Sequence, residues 1–161
     1  MAGKKFSLSA ITDGTSNTVM LSKSTLGTGT EGTSTNPNNH RTTYAYAGSV
    51  MTLTESACAS ALQWNMDYRR GYSWTAGEYR CASYNHFYAP NAKTCDCIAN
   101  NGAPSSATGT TPFGLRAARS WHTGGVNTAL LDGSVQFVSD TVALDTWRAY
   151  STRNGGEAAS F

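Results

Sequence analysis

The dipeptide Asp132-Gly133 separates two apolar-rich runs and constrains the fold of this chain more than any other feature. The first run covers residues 126–131 and the second covers residues 134–138. An Asp-Gly pair in this setting favours a two-residue β-hairpin turn, because both central residues take positive φ, which Asp tolerates and glycine adopts freely. The sequence therefore predicts an antiparallel hairpin whose turn consists of Asp132 and Gly133.

The alternation of side chains along the two runs predicts which face of the hairpin is buried. With a two-residue turn, Leu130 faces Val135 and Thr128 faces Phe137 across the two strands. The residues that then share the core face are Val126, Thr128, Leu130, Val135 and Phe137. The opposite face is half polar, and we expect it to be partly exposed.

Nine residues separate His122 from Asp132, and the two residue types together suggest a catalytic histidine–aspartate dyad. An extended strand from residue 126 to residue 131 spans roughly 17 Å, so the two side chains are predicted not to touch. We expect His122 to anchor the base of the hairpin, with Asp140 as its partner, and Asp132 to form the turn. A ligand-binding or catalytic role for His122 and a calcium-binding role for Asp132 stay open as alternatives.

The length and charge of the chain limit its domain organisation and its partners. A chain of 161 residues is predicted to form one domain over residues 1–161. Only 14% of the residues are charged and the net charge is +2, so we expect no nucleic-acid partner, because phosphate binding needs clustered lysine and arginine. The adjacent pair Arg69 and Arg70 is expected in a solvated loop or at a strand edge. No apolar run approaches the length of a membrane span.

The four cysteines, an even number, favour two disulfides with three alternative pairings; they are Cys58, Cys81, Cys95 and Cys97. Free buried thiols and a metal site are weaker alternatives. Cys95 and Cys97 have one residue between them, which is too tight for the usual zinc knuckle, so no metal site is predicted. Disulfides would indicate an oxidising, extracytoplasmic compartment.

The remaining elements complete an α+β prediction. We expect a short buried strand at residues 19–21, a strand over 42–54 that is broken at Gly48, and strands in the aromatic-rich segment 68–88. Residues 143–151 predict a short C-terminal helix with Leu144 and Trp147 on one face. The expected fold is an antiparallel β-sheet with long polar loops and this helix.

The spacing from His122 to Asp132-Gly133, written H-x9-D-G, also resembles the C-terminal signature of a known family. The similarity extends over the segments 11–18, 114–120, 134–140, 146–149 and 152–157, with a weaker match in the middle of the chain. On these residues the chain resembles the DUF1559 group of prepilin-type proteins that are enriched in planctomycetes.

The resemblance implies a pseudopilin-like head. Proteins of that group usually begin with a prepilin leader and a long hydrophobic helix, followed by an α+β head, and the present sequence is similar to the head alone. The resemblance implies an extracytoplasmic structural or binding module of the cell surface or of a type II or type IV secretion assembly. Other pilin-like proteins are its implied partners, and contact with a membrane would be made only through the helix that is missing here. It implies no established catalytic residue, and we predict no cofactor, with calcium as the one alternative.

Residue chemistry leaves two further functions open, both of which involve a polysaccharide. A glycosidase would use paired carboxylates, for which the candidates, together with His122, are Asp67, Glu78, Asp96, Asp132 and Glu157. A lectin-like domain would use exposed aromatic rings, for which the candidates are Tyr72, Trp74, Tyr84 and Tyr88. Two carboxylates that converge within about 10 Å in an aromatic-lined cleft would favour the hydrolase.

Overall fold

The computed structural model describes residues 5–27, 39–49, 53–62, 64, 70–100 and 113–157. In chain order, the elements are a 3-10 turn (Leu8–Ala10), β1 (Val19–Ser22), β2 (Tyr44–Ser49), α1 (Glu55–Ala59), β3 (Asp96–Asn100), β4 (Phe113–Leu115), β5 (Gly125–Leu130), β6 (Val135–Ser139) and α2 (Leu144–Ala149).

Within the described ranges, the strands form two three-stranded sheets. One sheet has the order β1-β5-β6 and is antiparallel throughout. The other has the order β2-β3-β4, in which β2 runs parallel to β3 and β4 runs antiparallel to it. The α+β class and the short C-terminal helix are therefore confirmed.

The hairpin between β5 and β6 exists as predicted, but its turn does not have two residues. Ala129 pairs with Val135, and the amide of Gly133 donates to the carbonyl of Leu130 at 3.1 Å. The loop thus contains three residues, 131–133, and its left-handed residue is Gly133, with a φ of 87°. This is a type I turn followed by a glycine bulge. Asp132 keeps a negative φ, and its carboxylate accepts hydrogen bonds from the amide and the hydroxyl of Ser134.

The extra loop residue shifts the pairing by one and reverses the predicted face of β6. Val126 and Leu130 are fully buried as expected, whereas Val135 and Phe137 are 67% and 55% exposed. Val138 is the residue of β6 that enters the core. The error has a simple cause: side chains alternate with a period of two, so a shift of one residue moves a whole strand's side chains to the other face.

Three other predicted strands need correction. β1 is present, but Met20 and Leu21 are exposed, since β1 is an edge strand of its sheet. β2 continues through residue 48 to Ser49 instead of breaking there. Residues 70–88 contain no strand, because turns organise this aromatic-rich segment; the amides of Cys81 and Ser83, for example, both donate to the carbonyl of Glu78.

Of the two apolar residues predicted to share one face of α2, Trp147 enters the core and Leu144 is 37% exposed. Trp147 is fully buried and packs with Ala118, Val126 and Val138. Its indole Nε1 donates to the carbonyl of Tyr88 at 3.0 Å, which satisfies the one polar atom of the side chain. None of the helices in the described ranges has the length and apolar character needed to cross a membrane.

A single disulfide joins α1 to β3, between Cys58 and Cys97. Both residues belong to a core cluster with Ala45 and Trp64. Cys81 and Cys95 are free thiols, so the prediction of two disulfides is wrong. Cys81 instead places its thiol 3.5 Å from the carboxylate of Glu78.

Candidate functional site

The most unusual feature of the described core is a single carboxylate surrounded by three guanidinium groups. Asp96, at the start of β3, is fully buried, and Arg70, Arg116 and Arg119 are each at most 1% exposed. Oδ2 of Asp96 accepts from Nη1 of Arg70 and from Nε of Arg116, and Oδ1 accepts from Nε and Nη2 of Arg119. The expectation that Arg70 lies in solvent is therefore wrong, because this residue belongs to a buried ion cluster.

This arginine cluster carries an excess of positive charge. Three guanidinium groups and one carboxylate give a formal charge of +2 in a region without solvent access. Burial opposes the ionisation of Asp96, but the three cations outweigh it and hold the pKa of the carboxyl well below its usual range. Burial also lowers the pKa of Arg70 to about 9, an effect that Asp96 only partly offsets.

Backbone carbonyls complete the coordination of the cluster. Nη1 of Arg119 donates to the carbonyl of Ala92 and Nη2 donates to that of Thr94, both at 2.6 Å. Arg116 donates to the carbonyls of Tyr79 and Ser83. The guanidinium groups therefore fix the turns within residues 79–94, which precede β3, and this is the cluster's structural role.

A cleft with a volume of about 560 Å³ lies beside the cluster. One wall is the segment 23–26, which follows β1, and the other is the segment 119–122, which precedes β5. The amide of Arg119 donates to the carbonyl of Lys23 at 2.8 Å and joins the two walls. Arg119 belongs to both features: the residue lines the cleft, while its guanidinium group is buried in the cluster, so the positive charge lies behind the cleft wall.

Lys23 and His122 meet at the mouth of the cleft. The Nζ atom of Lys23 lies 2.5 Å from Nε2 of His122, and since an ammonium group can only donate, the imidazole nitrogen accepts. The predicted partner Asp140 instead accepts from the side-chain amide of Asn91 at 2.8 Å. The backbone amide of His122 donates to Oγ of Ser120, so the residue is held at the base of the hairpin from the backbone side.

Trp121 lines the cleft, and Arg41 contacts its ring. The indole of Trp121 is 64% exposed, which is unusual for so large an apolar ring. The guanidinium carbon of Arg41 lies 5.4 Å from the centroid of this ring, within the range of a cation–π contact. Nη1 of Arg41 donates to the carbonyl of Ser120 at 2.9 Å. The cleft lining includes no carboxylate within the described ranges.

His40, next in sequence to Arg41, reports the same positive environment. Burial lowers the pKa of this imidazole, and the nearby charges of Arg119, Arg41 and Lys93 lower it further, against a smaller opposite effect of Asp96. An imidazole whose cationic form is disfavoured by three neighbouring cations lies in a region of positive potential.

The whole of this region falls within a match to one protein family. The family model described as "Protein of unknown function (DUF1559)" matches residues 1–145 of the chain. The chain belongs to the DUF1559 family. No curated protein and no solved structure gives a significant match.

Within the described ranges of this DUF1559 protein, none of the carboxylates suggested by the sequence lines the cleft. Glu78 forms an ion pair with Nε of Arg80 at 3.2 Å and accepts from the hydroxyl of Tyr72. Asp132 lies at the hairpin turn, and the exposed Glu157 follows α2. Asp96 is enclosed by the arginine cluster, and Asp67 lies outside the described residues. Within those residues, no group of three or more potential metal ligands comes together.

The four aromatic candidates differ widely in exposure. Trp74 is 88% exposed, whereas Tyr88 is buried. Tyr72 and Tyr84 are partly buried, and the hydroxyl of Tyr84 lies 3.1 Å from Nε2 of His86.

The sequence pattern did not single out three residues of the cleft region, namely Lys23, Arg41 and Trp121. Lys23 and His122 are separated by 99 positions, and nothing local indicates that they meet. The only sequence signal was the aromatic side chain of Trp121 next to the histidine of the H-x9-D-G motif.

Proposed function

We propose that this DUF1559 protein is an extracytoplasmic, pseudopilin-like module that binds an anionic ligand in the cleft between Lys23 and His122. The observation that carries the proposal is the excess of two positive charges in the arginine cluster, which borders the cleft through Arg119. The module acts by binding and does not turn its ligand over.

Two electrostatic effects favour an anionic ligand. A cation buried without full compensation is costly, because the low-dielectric interior replaces water that would have solvated it. A cleft lined by one sign of charge also concentrates the field and raises the local concentration of counter-ions. An anion in the cleft, beside Arg119 and Lys23, would offset part of the uncompensated charge.

Several contacts favour binding over catalysis. The hydroxyl of Ser120 donates to the carbonyl of Gly125 at 2.6 Å and accepts from the amide of His122. Nε2 of His122 contacts Lys23 rather than a serine hydroxyl. The cleft thus has no nucleophile–base pair in its described lining, and nucleophilic catalysis requires one.

The disulfide and the family support the proposed location. A bond between Cys58 and Cys97 persists in oxidising compartments and is rare in the cytosol. The resemblance of the chain to pseudopilin heads suggests a place at the cell surface or in a type II or type IV secretion assembly, with pilin-like proteins as neighbours. A polysaccharide is the second class of partner.

The test is equilibrium binding of the purified chain to dextran sulfate and to uncharged dextran. We expect binding to the sulfated polymer only, with an affinity that falls steeply as the salt concentration rises. Lys23→Ala should weaken this binding at least about fivefold, and Lys5→Ala, a change at an exposed lysine outside the cleft, should leave it unchanged.

Two results would contradict the proposal. The first is equal binding of charged and uncharged dextran, or equal behaviour of the two lysine variants. The second is release of product from a panel of glycans and esters by the purified chain, with and without chelator, if an Asp or Glu to Ala change abolishes it.

A further inference from the structure

We infer that the ligand of the cleft is an acidic sugar unit, a pyranose ring with a carboxylate or sulfate group, presented by a polysaccharide. This inference rests on the proposed function and names the chemistry that the same cleft selects. It depends on three features: an exposed flat ring in the cleft, two cations that contact this ring and its neighbour His122, and a hydroxyl that accepts from two arginines of the cluster.

The flat surface is the indole of Trp121, with Leu26 on the opposite wall. Both side chains are more than half exposed although both are large and apolar. A pyranose ring has one face made mainly of C–H bonds, which packs against an aromatic ring, while its rim of hydroxyl groups stays available for hydrogen bonds. A volume of about 560 Å³ is within the usual range for small-ligand sites, roughly 300–1,000 Å³.

Arg41 and Lys23 are the cations that would pair with the charged group of such a sugar. Arg41 lies over one face of the indole ring, so a sugar would pack on the ring's remaining exposed surface, and Lys23 lines the cleft beside His122. A guanidinium group has five N–H donors, of which one on Arg41 is directed to the carbonyl of Ser120. The planar fork of arginine matches the geometry of a carboxylate or a sulfate.

Ser24 connects the buried charge to the ligand. Its Oγ atom accepts hydrogen bonds from Nη2 of Arg70 at 3.2 Å and from Nη2 of Arg116 at 3.3 Å. Ser24 also lines the cleft. A hydroxyl that accepts from two cations is polarised and has its own proton left to donate. The proton of Ser24 is therefore well suited to an anionic or hydroxyl oxygen of the sugar.

An acidic peptide is the competing macromolecule. It offers the same charge but lacks a rigid ring with a C–H face, so it would use Lys23 and Arg41 without using Trp121. The contribution of Trp121 consequently distinguishes the two classes of ligand.

The experiment is calorimetric titration of the full chain with three probes: tetragalacturonate, its methyl ester, and tetraglutamate. We expect tetragalacturonate to bind at least about tenfold more tightly than the other two. Trp121→Ala should reduce the affinity for tetragalacturonate at least about tenfold. Trp74→Ala is the matched control, because Trp74 is also highly exposed and lies outside the cleft.

Each outcome decides a different part of the inference. Equal binding of tetragalacturonate and tetraglutamate, unaffected by Trp121→Ala, would overturn the sugar and leave the anion-binding function intact. Binding of the methyl ester as tight as that of the free acid would show that charge is not recognised. If no probe binds to a chain whose circular dichroism and thermal unfolding are normal, the inference is wrong. If dextran sulfate does not bind either, the proposed function is wrong as well.

Discussion

The imidazole ring of His86 lies flat against the indole ring of Trp147, with centroids 3.6 Å apart and planes inclined by 3°. Nδ1 of His86 donates to the backbone carbonyl of Trp147 at 2.5 Å, and Nε2 lies 3.1 Å from the hydroxyl of Tyr84. Both ring nitrogens are therefore engaged while the ring is neutral. Burial lowers the pKa of His86 to about 4, although its bond to the carbonyl of Trp147 opposes this shift.

We expect His86 to make the protein acid-sensitive. Because the pKa is lower in the folded chain than the ordinary value of 6.5, the unfolded state binds more protons between about pH 6.5 and pH 4. The stability from His86 is therefore complete above pH 6.5, decreases as the pH falls through this window and is lost below it. The total change is about 3 kcal/mol. Urea unfolding at a series of pH values measures it.

The variant His86→Phe isolates this contribution. It keeps an aromatic ring against Trp147 but cannot titrate, so the fall in stability between pH 6.5 and pH 4 should be smaller than in the parent chain. At pH 7 the variant should be less stable by about 1–3 kcal/mol, because the hydrogen bond from Nδ1 of His86 to the carbonyl of Trp147 is lost. An identical pH dependence in both chains would show that His86 is not held neutral by burial.

The existence of the hairpin could be predicted from the sequence, but its register could not. Its existence follows from local rules, since the Asp-Gly pair and the alternating apolar residues lie within one short segment. The register does not, because Asp132-Gly133 suits both a two-residue turn and a three-residue turn with a glycine bulge. The packing of Val138 against Val126 and Trp147 accompanies the second arrangement, and this contact lies outside the hairpin's own sequence pattern.

The arginine cluster and the cleft were harder to predict from the sequence. Arg70 and Arg116 resemble ordinary surface charges when read singly, and Asp96 resembled a candidate catalytic carboxylate. They meet because β3 and β4 pair and the turn at residue 70 folds over them, which is long-range information. The helix that carries Trp147, by contrast, could be predicted from a local pattern, with Leu144 and Trp147 on one face.

Replacing Asp96 with asparagine should be among the most destabilising single changes in the chain. Asp96→Asn preserves the shape of the side chain but leaves three buried guanidinium groups without a counter-charge. Removing one partner from a buried ion pair typically costs about 3–5 kcal/mol, and we expect at least this loss in urea unfolding. Asp145→Asn, at an exposed position in the first turn of α2, is the control and should cost under about 1 kcal/mol. A loss at Asp96 no larger than that of the control would contradict the geometry of the cluster.

The disulfide predicts a definite pattern of thiol labelling. Unfolding the chain in denaturant without reductant should allow alkylation of two cysteines, Cys81 and Cys95, and reductant should release Cys58 and Cys97 as well. The bond closes a loop with a sequence separation of 39, for which chain entropy gives about 4 kcal/mol of stabilisation. Peptide mass spectrometry identifies the labelled residues. Labelling of all four thiols before reduction, or of none, would rule out this pairing.

Substitution of Gly133 should destabilise the chain because its φ is positive, and not because a side chain there would be crowded. A Cβ atom at this position would meet no heavy atom within 4 Å, but φ is 87°, which an L side chain adopts at a cost of about 1–2 kcal/mol. Gly77 offers a matched control, because it has equally open surroundings and no positive φ. We expect Gly133→Ala to lower the unfolding free energy by this amount relative to Gly77→Ala.

Asp132→Gly distinguishes the observed three-residue turn from the two-residue alternative. In a two-residue turn residue 132 would have positive φ, so glycine there would stabilise the hairpin. In the observed turn φ of Asp132 is negative and its carboxylate accepts two bonds from Ser134, so glycine removes these bonds and adds freedom to the unfolded chain. We therefore expect Asp132→Gly to lower the midpoint of urea unfolding. A raised midpoint would support the two-residue turn and the core face that includes Val135 and Phe137.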